Sequence, residues 1–232
     1  MTRNALALAL AGLLLAAPLA RAEDGAALLA QRCASCHRLA GPAPATLAEL
    51  WARKGPDLFY AGSKYRADWI GAWLQKPVRI RPAGEFYADH LHRGEKGDII
   101  DESTIPVHPA LSAAEAQAAT GALMRLKAHD DLIAAEKVED GSISKSFGEM
   151  TFDKFLGCMA CHEIEPGFGG DSGPELYTAA RRLTPAFIAS YIRSPQAWDP
   201  KTWMPNKKVN DANILKLVHY LEVISREQAH GN

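Results

Sequence analysis

Two short stretches of this chain, Cys33-Ala-Ser-Cys36-His37 and Cys158-Met-Ala-Cys161-His162, share one spacing of cysteine and histidine. The chain contains four cysteines, and the two stretches use all of them. No cysteine is therefore left for a disulfide, a zinc site or a catalytic thiol elsewhere. Each Cys pair taken alone is compatible with a redox dithiol or with half of a zinc site. A histidine directly after both pairs makes those two interpretations the weaker ones.

Cys-x-x-Cys-His is the attachment signature of c-type haem. The two thiols add to the vinyl groups of the porphyrin, and the adjacent histidine binds the iron as its proximal ligand. The sequence therefore predicts two covalently bound haem c groups. The predicted attachment and iron-binding residues are Cys33, Cys36 and His37 for the first haem and Cys158, Cys161 and His162 for the second.

The N-terminus has the pattern of an export signal. Arg3 precedes an apolar run of 13 residues, Ala5 to Ala17, and Ala20-Arg21-Ala22 fits the small-x-small cleavage rule. Because a helix needs roughly 20 apolar residues to span a bilayer, we expect cleavage after Ala22 rather than a retained anchor. Haem is attached to such motifs outside the bacterial cytoplasm, so the signal and the motifs together predict a periplasmic protein with no membrane span.

Composition argues against a nucleic-acid partner. Cleavage after residue 22 would remove two arginines and no acidic residue, which changes the formal charge from −1 to −3 over the remaining 210 residues. The chain also lacks the clustered Lys/Arg stretch that nucleic-acid binding requires. A chain of this length is enough for two small domains.

An internal repeat relates the two halves of the chain. Gly55-Pro56-Asp57-Leu58 follows the first motif, and Gly173-Pro174-Glu175-Leu176 follows the second. At the same offset of 118 positions, 68–75 and 185–193 both carry apolar residues at helical spacing and end before a proline. These segments predict helices. Two closing helices are expected, from Ser112 (with a Ser112/Glu115 capping box) to about Ala128 and from about Asp211 to Ile224.

Residues 129–147 between the halves are polar and mixed in charge, which places a boundary near residue 140. We expect a signal peptide at 1–22, a first domain at 23–139 and a second at 140–232. Each half resembles a class I cytochrome c module, and the pair resembles the two-domain dihaem cytochromes c of the bacterial periplasm. The resemblance implies an all-α fold with two tandem domains, each wrapped around one covalently attached haem.

The resemblance also assigns supporting residues. It implies that the carbonyls of Pro56 and Pro174 accept the second ring N–H of His37 and His162. It implies that Met204, in Trp203-Met204-Pro205, is the distal ligand of the second haem. The glycines between 167 and 173 are expected to let the backbone pass close to the macrocycle.

The first half departs from this pattern on the distal side. Its counterpart of Met204 is Ile105, which cannot bind iron. The connecting loop is also longer, because Ile105 lies 23 positions after Pro82 whereas Met204 lies four positions after Pro200. Three interpretations remain open for this 83–110 loop. His108 binds the iron, or His90 or His92 does, or the iron is five-coordinate and open. The three histidines favour bis-histidine ligation, with His108 ahead.

An electron-transfer role follows from these expectations. A soluble dihaem carrier would exchange electrons with respiratory or dehydrogenase partners that dock transiently at the haem edges. Bis-histidine ligation would give the first haem the lower potential, so electrons would run from the first haem to the second. The alternatives are a peroxidase-like dihaem enzyme with an open first haem and a redox subunit of a larger oxidoreductase complex.

Overall fold

Short helices joined by long loops make up most of the chain, and the computed structural model describes residues 24–95 and 97–230. The first half contains α1 (Gly25–Arg32), α2 (Leu47–Trp51), α3 (Ala61–Lys64), α4 (Ala67–Gln75), β1 (Leu91–Gly94), β2 (Gly97–Ile100), α5 (Ala113–Leu123) and α6 (Asp130–Ala134). The second half contains α7 (Lys145–Met150), β3 (Glu163–Glu165), β4 (Phe168–Gly169), α8 (Ala179–Arg182), α9 (Pro185–Arg193), α10 (Pro195–Trp198) and α11 (Asp211–His230). The export segment expected at 1–22 lies outside the described residues.

The helices predicted from periodicity are present as α4 and α9. The capping box is also confirmed, because Glu115 N donates to Ser112 Oγ and the Glu115 carboxylate accepts from Ser112 N. Two bounds were wrong. Helix α5 ends at Leu123 because the chain turns back to pair with the first half's core, where Gly62 N donates to Leu126 O at 2.8 Å. Helix α11 continues to His230, and α6 lies within the segment expected to be a linker.

The prediction of an all-α fold was wrong. The structure is about 48% helical and 7% strand, with the strands in two small antiparallel sheets. Strands β1 and β2 form a hairpin in the 83–110 loop, with Gly94 opposite Gly97 at its tip. Strands β3 and β4 follow the second motif directly. Both hairpins turn at glycines with positive φ, Gly97 and Gly167, a conformation that suits a tight turn and disfavours a helix.

Each half is closed by a helix crossing that depends on a glycine. A Cβ atom on Gly25 of α1 would lie 2.1 Å from the carbonyl oxygen of Ala118 in α5. In the second half, a Cβ on Gly148 of α7 would lie 2.4 Å from the ring of Tyr220 in α11. The opening and closing helices of each half therefore pack with almost no space between them, which fixes where each motif begins.

The two halves meet at equivalent positions of the repeat. Helices α3 and α8, and likewise α4 and α9, are offset by 118 residues. Tyr65 and its counterpart Leu183 face each other in an antiparallel bridge. Arg66 N donates to Arg182 O at 2.8 Å, and the symmetry-related bond runs from Thr184 N to Lys64 O at 3.0 Å. The joint is therefore locally two-fold symmetric, like the interface of a homodimer.

A buried group of charges adds a second, asymmetric contact between the halves. Arg53 Nη1 lies 2.9 Å from Asp199 Oδ2 of the second half and 3.5 Å from Asp57 Oδ2. Arg53 Nη2 lies 3.4 Å from Glu85 Oε1, at the start of the 83–110 loop. The side chain of Asp57 is 1% exposed, and neither of its carboxylate oxygens has a hydrogen-bond partner among the described residues. Burial raises the pKa of Asp57 above its usual range.

Asp57→Asn is expected to raise the free energy of unfolding at pH 7. A carboxyl whose pKa is raised on folding binds its proton more tightly in the folded chain, so its ionised form penalises that state at neutral pH. The penalty fades as the pH falls toward about 4, the ordinary pKa of aspartate, and the advantage of the variant should fade with it. Chemical denaturation at both pH values measures the difference.

The control is Glu175→Gln, at the equivalent position of the second half. Glu175 accepts hydrogen bonds from Thr178 and lies 3.3 Å from the Arg182 guanidinium. Its loss should therefore destabilise the protein at pH 7. Equal destabilisation by both substitutions would contradict the prediction.

Candidate functional sites

Each motif histidine is held by a proline carbonyl of its own half. His37 Nδ1 lies 2.8 Å from Pro56 O, and His162 Nδ1 lies 2.7 Å from Pro174 O. A carbonyl oxygen only accepts, so in both rings Nδ1 carries the hydrogen and donates it. The Nε2 lone pair is then available to a metal. The structure therefore places Pro56 and Pro174 as the resemblance implied.

A glycine next to each proline packs against the same imidazole. A Cβ on Gly55 would lie 2.6 Å from His37 Cε1, and a Cβ on Gly173 would lie 2.6 Å from His162 Cε1. A hydrogen bond thus holds the edge of each ring. The glycine backbone packs so closely against one side of the ring that a larger residue would not fit there. Burial lowers the pKa of His162, which favours the neutral, metal-binding form of the ring.

The four cysteines lie on short backbone turns, and none of them is paired in a disulfide. Cys36 N and His37 N both donate to Cys33 O, at 3.1 and 2.9 Å, and Cys161 N donates to Cys158 O at 3.2 Å. Burial raises the pKa of the Cys33 thiol and raises that of Cys158 to about 11. Redox-active dithiols have a lowered thiol pKa, so Cys33 and Cys158 do not have the electrostatics of that class.

The donors present in the described residues do not suit zinc. No group of three or more His, Cys, Asp or Glu side chains converges there in a way that could hold a metal ion. A structural zinc site needs four such ligands, whereas haem iron takes one or two from the protein and the rest from the porphyrin. Two thiols beside one oriented imidazole in each half fit a covalently attached haem better.

In the first half, the structure brings His108 opposite His37. The two ring centroids are 6.2 Å apart, and the ring planes are inclined by 49°. His108 Nδ1 lies 3.0 Å from Pro109 O, so this ring also donates through Nδ1 and keeps the Nε2 lone pair. Metal–imidazole bonds of about 2 Å on each side would leave two axial rings with centroids about 6 Å apart. The observed centroid spacing of 6.2 Å is close to this value.

The other two histidines of the 83–110 loop have different surroundings. His90 Nδ1 lies 2.8 Å from Thr104 Oγ1, and its ring packs against Gly84, where a Cβ would come within 2.5 Å. His92 lies on β1, exposed and opposite Ile99. Ile105, the counterpart of Met204, is 8% exposed and belongs to the core. Of the three candidates, His108 is the one that the structure places against His37.

Trp73 of α4 contacts His108 and is therefore also part of this site. Its ring lies 4.6 Å from the His108 ring, and its Nε1–H donates to Val78 O at 2.9 Å. Trp69 stacks on Trp73 at 5.7 Å, and Tyr65 stacks on Trp69 at the same distance. The four-residue spacing of the two tryptophans on α4 indicated one helix face, but nothing local in the sequence indicated that this face would meet His108.

In the second half, the Met204 loop lies close to the second motif. Gln196 Nε2 donates to Met204 O at 2.9 Å, which fixes the backbone of this residue. Lys207, three residues further, lies near Gly157, and its charge opposes the rise in the pKa of Cys158. The second half contains two other methionines that could be considered as iron ligands. Met150 is 41% exposed on α7, and Met159 packs against the core.

The glycines at 167–173 approach the motif itself. A Cβ on Gly169 would lie 2.2 Å from His162 O, and a Cβ on Gly170 would lie 2.3 Å from Ala160 O. They allow the β3–β4 hairpin to fold back onto the backbone of the second motif.

No family model, curated protein or solved structure matches this chain.

Gly173→Ala is expected to lower the free energy of unfolding by about 1–3 kcal/mol, because its methyl group would overlap the His162 ring. Gly121→Ala is the matched control. Gly121 lies within α5, and its Cβ would be in ordinary contact, 4.0 Å from Arg125 Nη1, so the substitution should stabilise the helix by up to about 1 kcal/mol. Chemical denaturation compares the two. Equal stability of both variants would show that the glycine is not needed against the ring.

Proposed function

We propose that this chain is a dihaem c-type cytochrome that transfers electrons between redox partners. The observation that carries the proposal is the same constellation found twice: Cys-x-x-Cys on a turn, then a histidine held at Nδ1 by a proline carbonyl and packed on a glycine. A ring fixed in this way presents its Nε2 in one direction, which is the requirement for a metal ligand.

The chain's own residues would hold the two groups differently. Cys33 and Cys36, and likewise Cys158 and Cys161, would each add a thiol S–H across a porphyrin vinyl group, the sulfur to one carbon and the hydrogen to the other. His37 and His108 would be the axial ligands of the first haem, and His162 and Met204 those of the second. When bound, each haem iron supplies a one-electron reduction and oxidation.

This assignment of ligands predicts which of the two haems has the lower reduction potential. An imidazole donates more strongly to iron than a thioether, so the first haem would have the lower potential and electrons would pass from it to the second. Partners would dock transiently at the haem edges. Export to the periplasm, directed by residues 1–22, completes the proposal. No helix among the described residues is long and apolar enough to cross a membrane.

The contacts in the first half favour a carrier over a peroxidase-like enzyme. Such an enzyme needs an open iron and a free acid–base group beside it. His108, whose ring centroid is 6.2 Å from that of His37, would occupy the side of the iron to which a small ligand would have to bind. Glu85 is engaged by Arg53 and Arg81, and His90 is engaged by Thr104. EPR of the oxidised protein tests the choice: two low-spin haems support the carrier, and a high-spin signal from one haem in the resting protein supports the enzyme.

His108→Ala is expected to convert one haem of the two from low spin to high spin in the EPR spectrum, because it removes the imidazole opposite His37. His90→Ala is the control and should leave both haems low-spin, since that ring is held away by Thr104 and Gly84. If the first haem stays low-spin in His108→Ala, its second ligand is another residue of the 83–110 loop.

Met204→Ala is expected to abolish the methionine-to-iron charge-transfer band of the oxidised protein and to lower the potential of the second haem. Near-infrared magnetic circular dichroism and a redox titration measure the two effects. Met150→Ala removes a half-exposed methionine of α7 and should change neither. Retention of the band in Met204→Ala would refute this ligand.

A further inference from the structure

Four aromatic rings meet between the two halves beside Met204. We call Trp51, Phe86, Tyr87 and Trp203 the Trp203 cluster. The ring of Trp203 lies 5.1 Å from that of Trp51, 5.8 Å from Phe86 and 5.6 Å from Tyr87, between ring centroids. Trp51 and Phe86 also contact each other at 5.1 Å. These distances are within the range of favourable aromatic pairs.

The members of the cluster come from both halves of the chain. Trp203 is the residue directly before Met204 in the second half. Trp51 ends α2, and Phe86 and Tyr87 lie near the start of the 83–110 loop, all in the first half. Phe86 is 4% exposed, whereas Trp51 and Trp203 are 43% and 45% exposed. The 83–110 loop of the first half is therefore packed on the loop that leads to Met204 in the second half, which we call the methionine loop (residues 199–204).

An ion pair fixes the other end of the methionine loop to the same surface. Asp199 accepts a hydrogen bond from Arg53 Nη1 at 2.9 Å, with both side chains less than a tenth exposed. Arg53 also pairs with Glu85, the neighbour of Phe86. Residues 199–203 thus contact the first half at both ends. Within the second half, the Tyr191 and Thr202 hydroxyls lie 3.2 Å apart, and Gln196 donates to Met204 O.

We propose that Trp51, Arg53 and the start of the 83–110 loop position Met204 for the iron of the second haem. The inference rests on the proposed function, in which Met204 is an axial ligand. To move away from the iron, this loop would have to separate Trp203 from three rings and Asp199 from Arg53. The first half therefore supplies positioning residues for a ligand that belongs to the second half.

Competition with imidazole on the ferric holoprotein tests this positioning. Added imidazole displaces the methionine, and the methionine-to-iron charge-transfer band reports the displacement at the second haem alone. Trp51→Ala should make half-displacement occur at about two- to tenfold lower imidazole, which corresponds to the loss of one aromatic pair. Trp51→Phe keeps a ring in place and should restore most of the difference.

Leu47→Ala is the matched control. Leu47 lies on α2 one turn before Trp51 and is 61% exposed, so its loss perturbs the same helix without reaching Trp203. Trp51 is itself 43% exposed, so its replacement should leave the fold intact. Phe86→Leu removes a second ring of the cluster from the 83–110 loop and should show the same weakening by a separate route.

The outcomes separate this inference from the proposed function. If the wild-type protein lacks the charge-transfer band, the assignment of Met204 as a ligand fails. If the band is present but Trp51→Ala and Phe86→Leu titrate like wild type and Leu47→Ala, then Met204 is a ligand and the first half does not position it. Weakening in both ring variants, with rescue by Trp51→Phe, is the result that supports the inference.

Discussion

The hydrogen bond from a histidine Nδ1 to a proline carbonyl is the constraint from which both candidate sites are built. In each half it fixes the tautomer, and the neighbouring glycine fixes the direction of the ring. This hydrogen bond requires a Gly-Pro pair within about one loop of the motif. The chain between the motif and the proline must therefore be short.

Where the signal is local, the sequence predicted the structure well. The starts of α4, α5 and α9 follow from spacing, capping and proline, and the two proline carbonyls lie where the resemblance implied. The two hairpins were missed because each has strands of only two to four residues, too short for a clear alternating pattern. The all-α expectation failed on those segments.

Contacts between distant segments were beyond sequence reasoning. His108 was one candidate among three, and only the tertiary packing of α4 puts Trp73 on its ring and His37 opposite. The ion pair between Arg53 and Asp199 joins residues 146 positions apart. No periodic pattern in the sequence marks such a pair, because each partner taken alone looks like an ordinary surface charge. For the same reason, the sequence did not indicate that Trp51 and Trp203 would contact each other where the first half meets the methionine loop.

The two-fold joint at Tyr65 and Leu183 has a consequence for how such a chain can arise and diverge. Equivalent segments pair with each other there, as they would between two separate copies of a single module. Fusion into one chain makes that contact intramolecular, so it no longer depends on protein concentration. It also lifts the requirement that both copies stay identical. One copy is then free to lengthen a loop, as the first half does at 83–110, while the other keeps a short one.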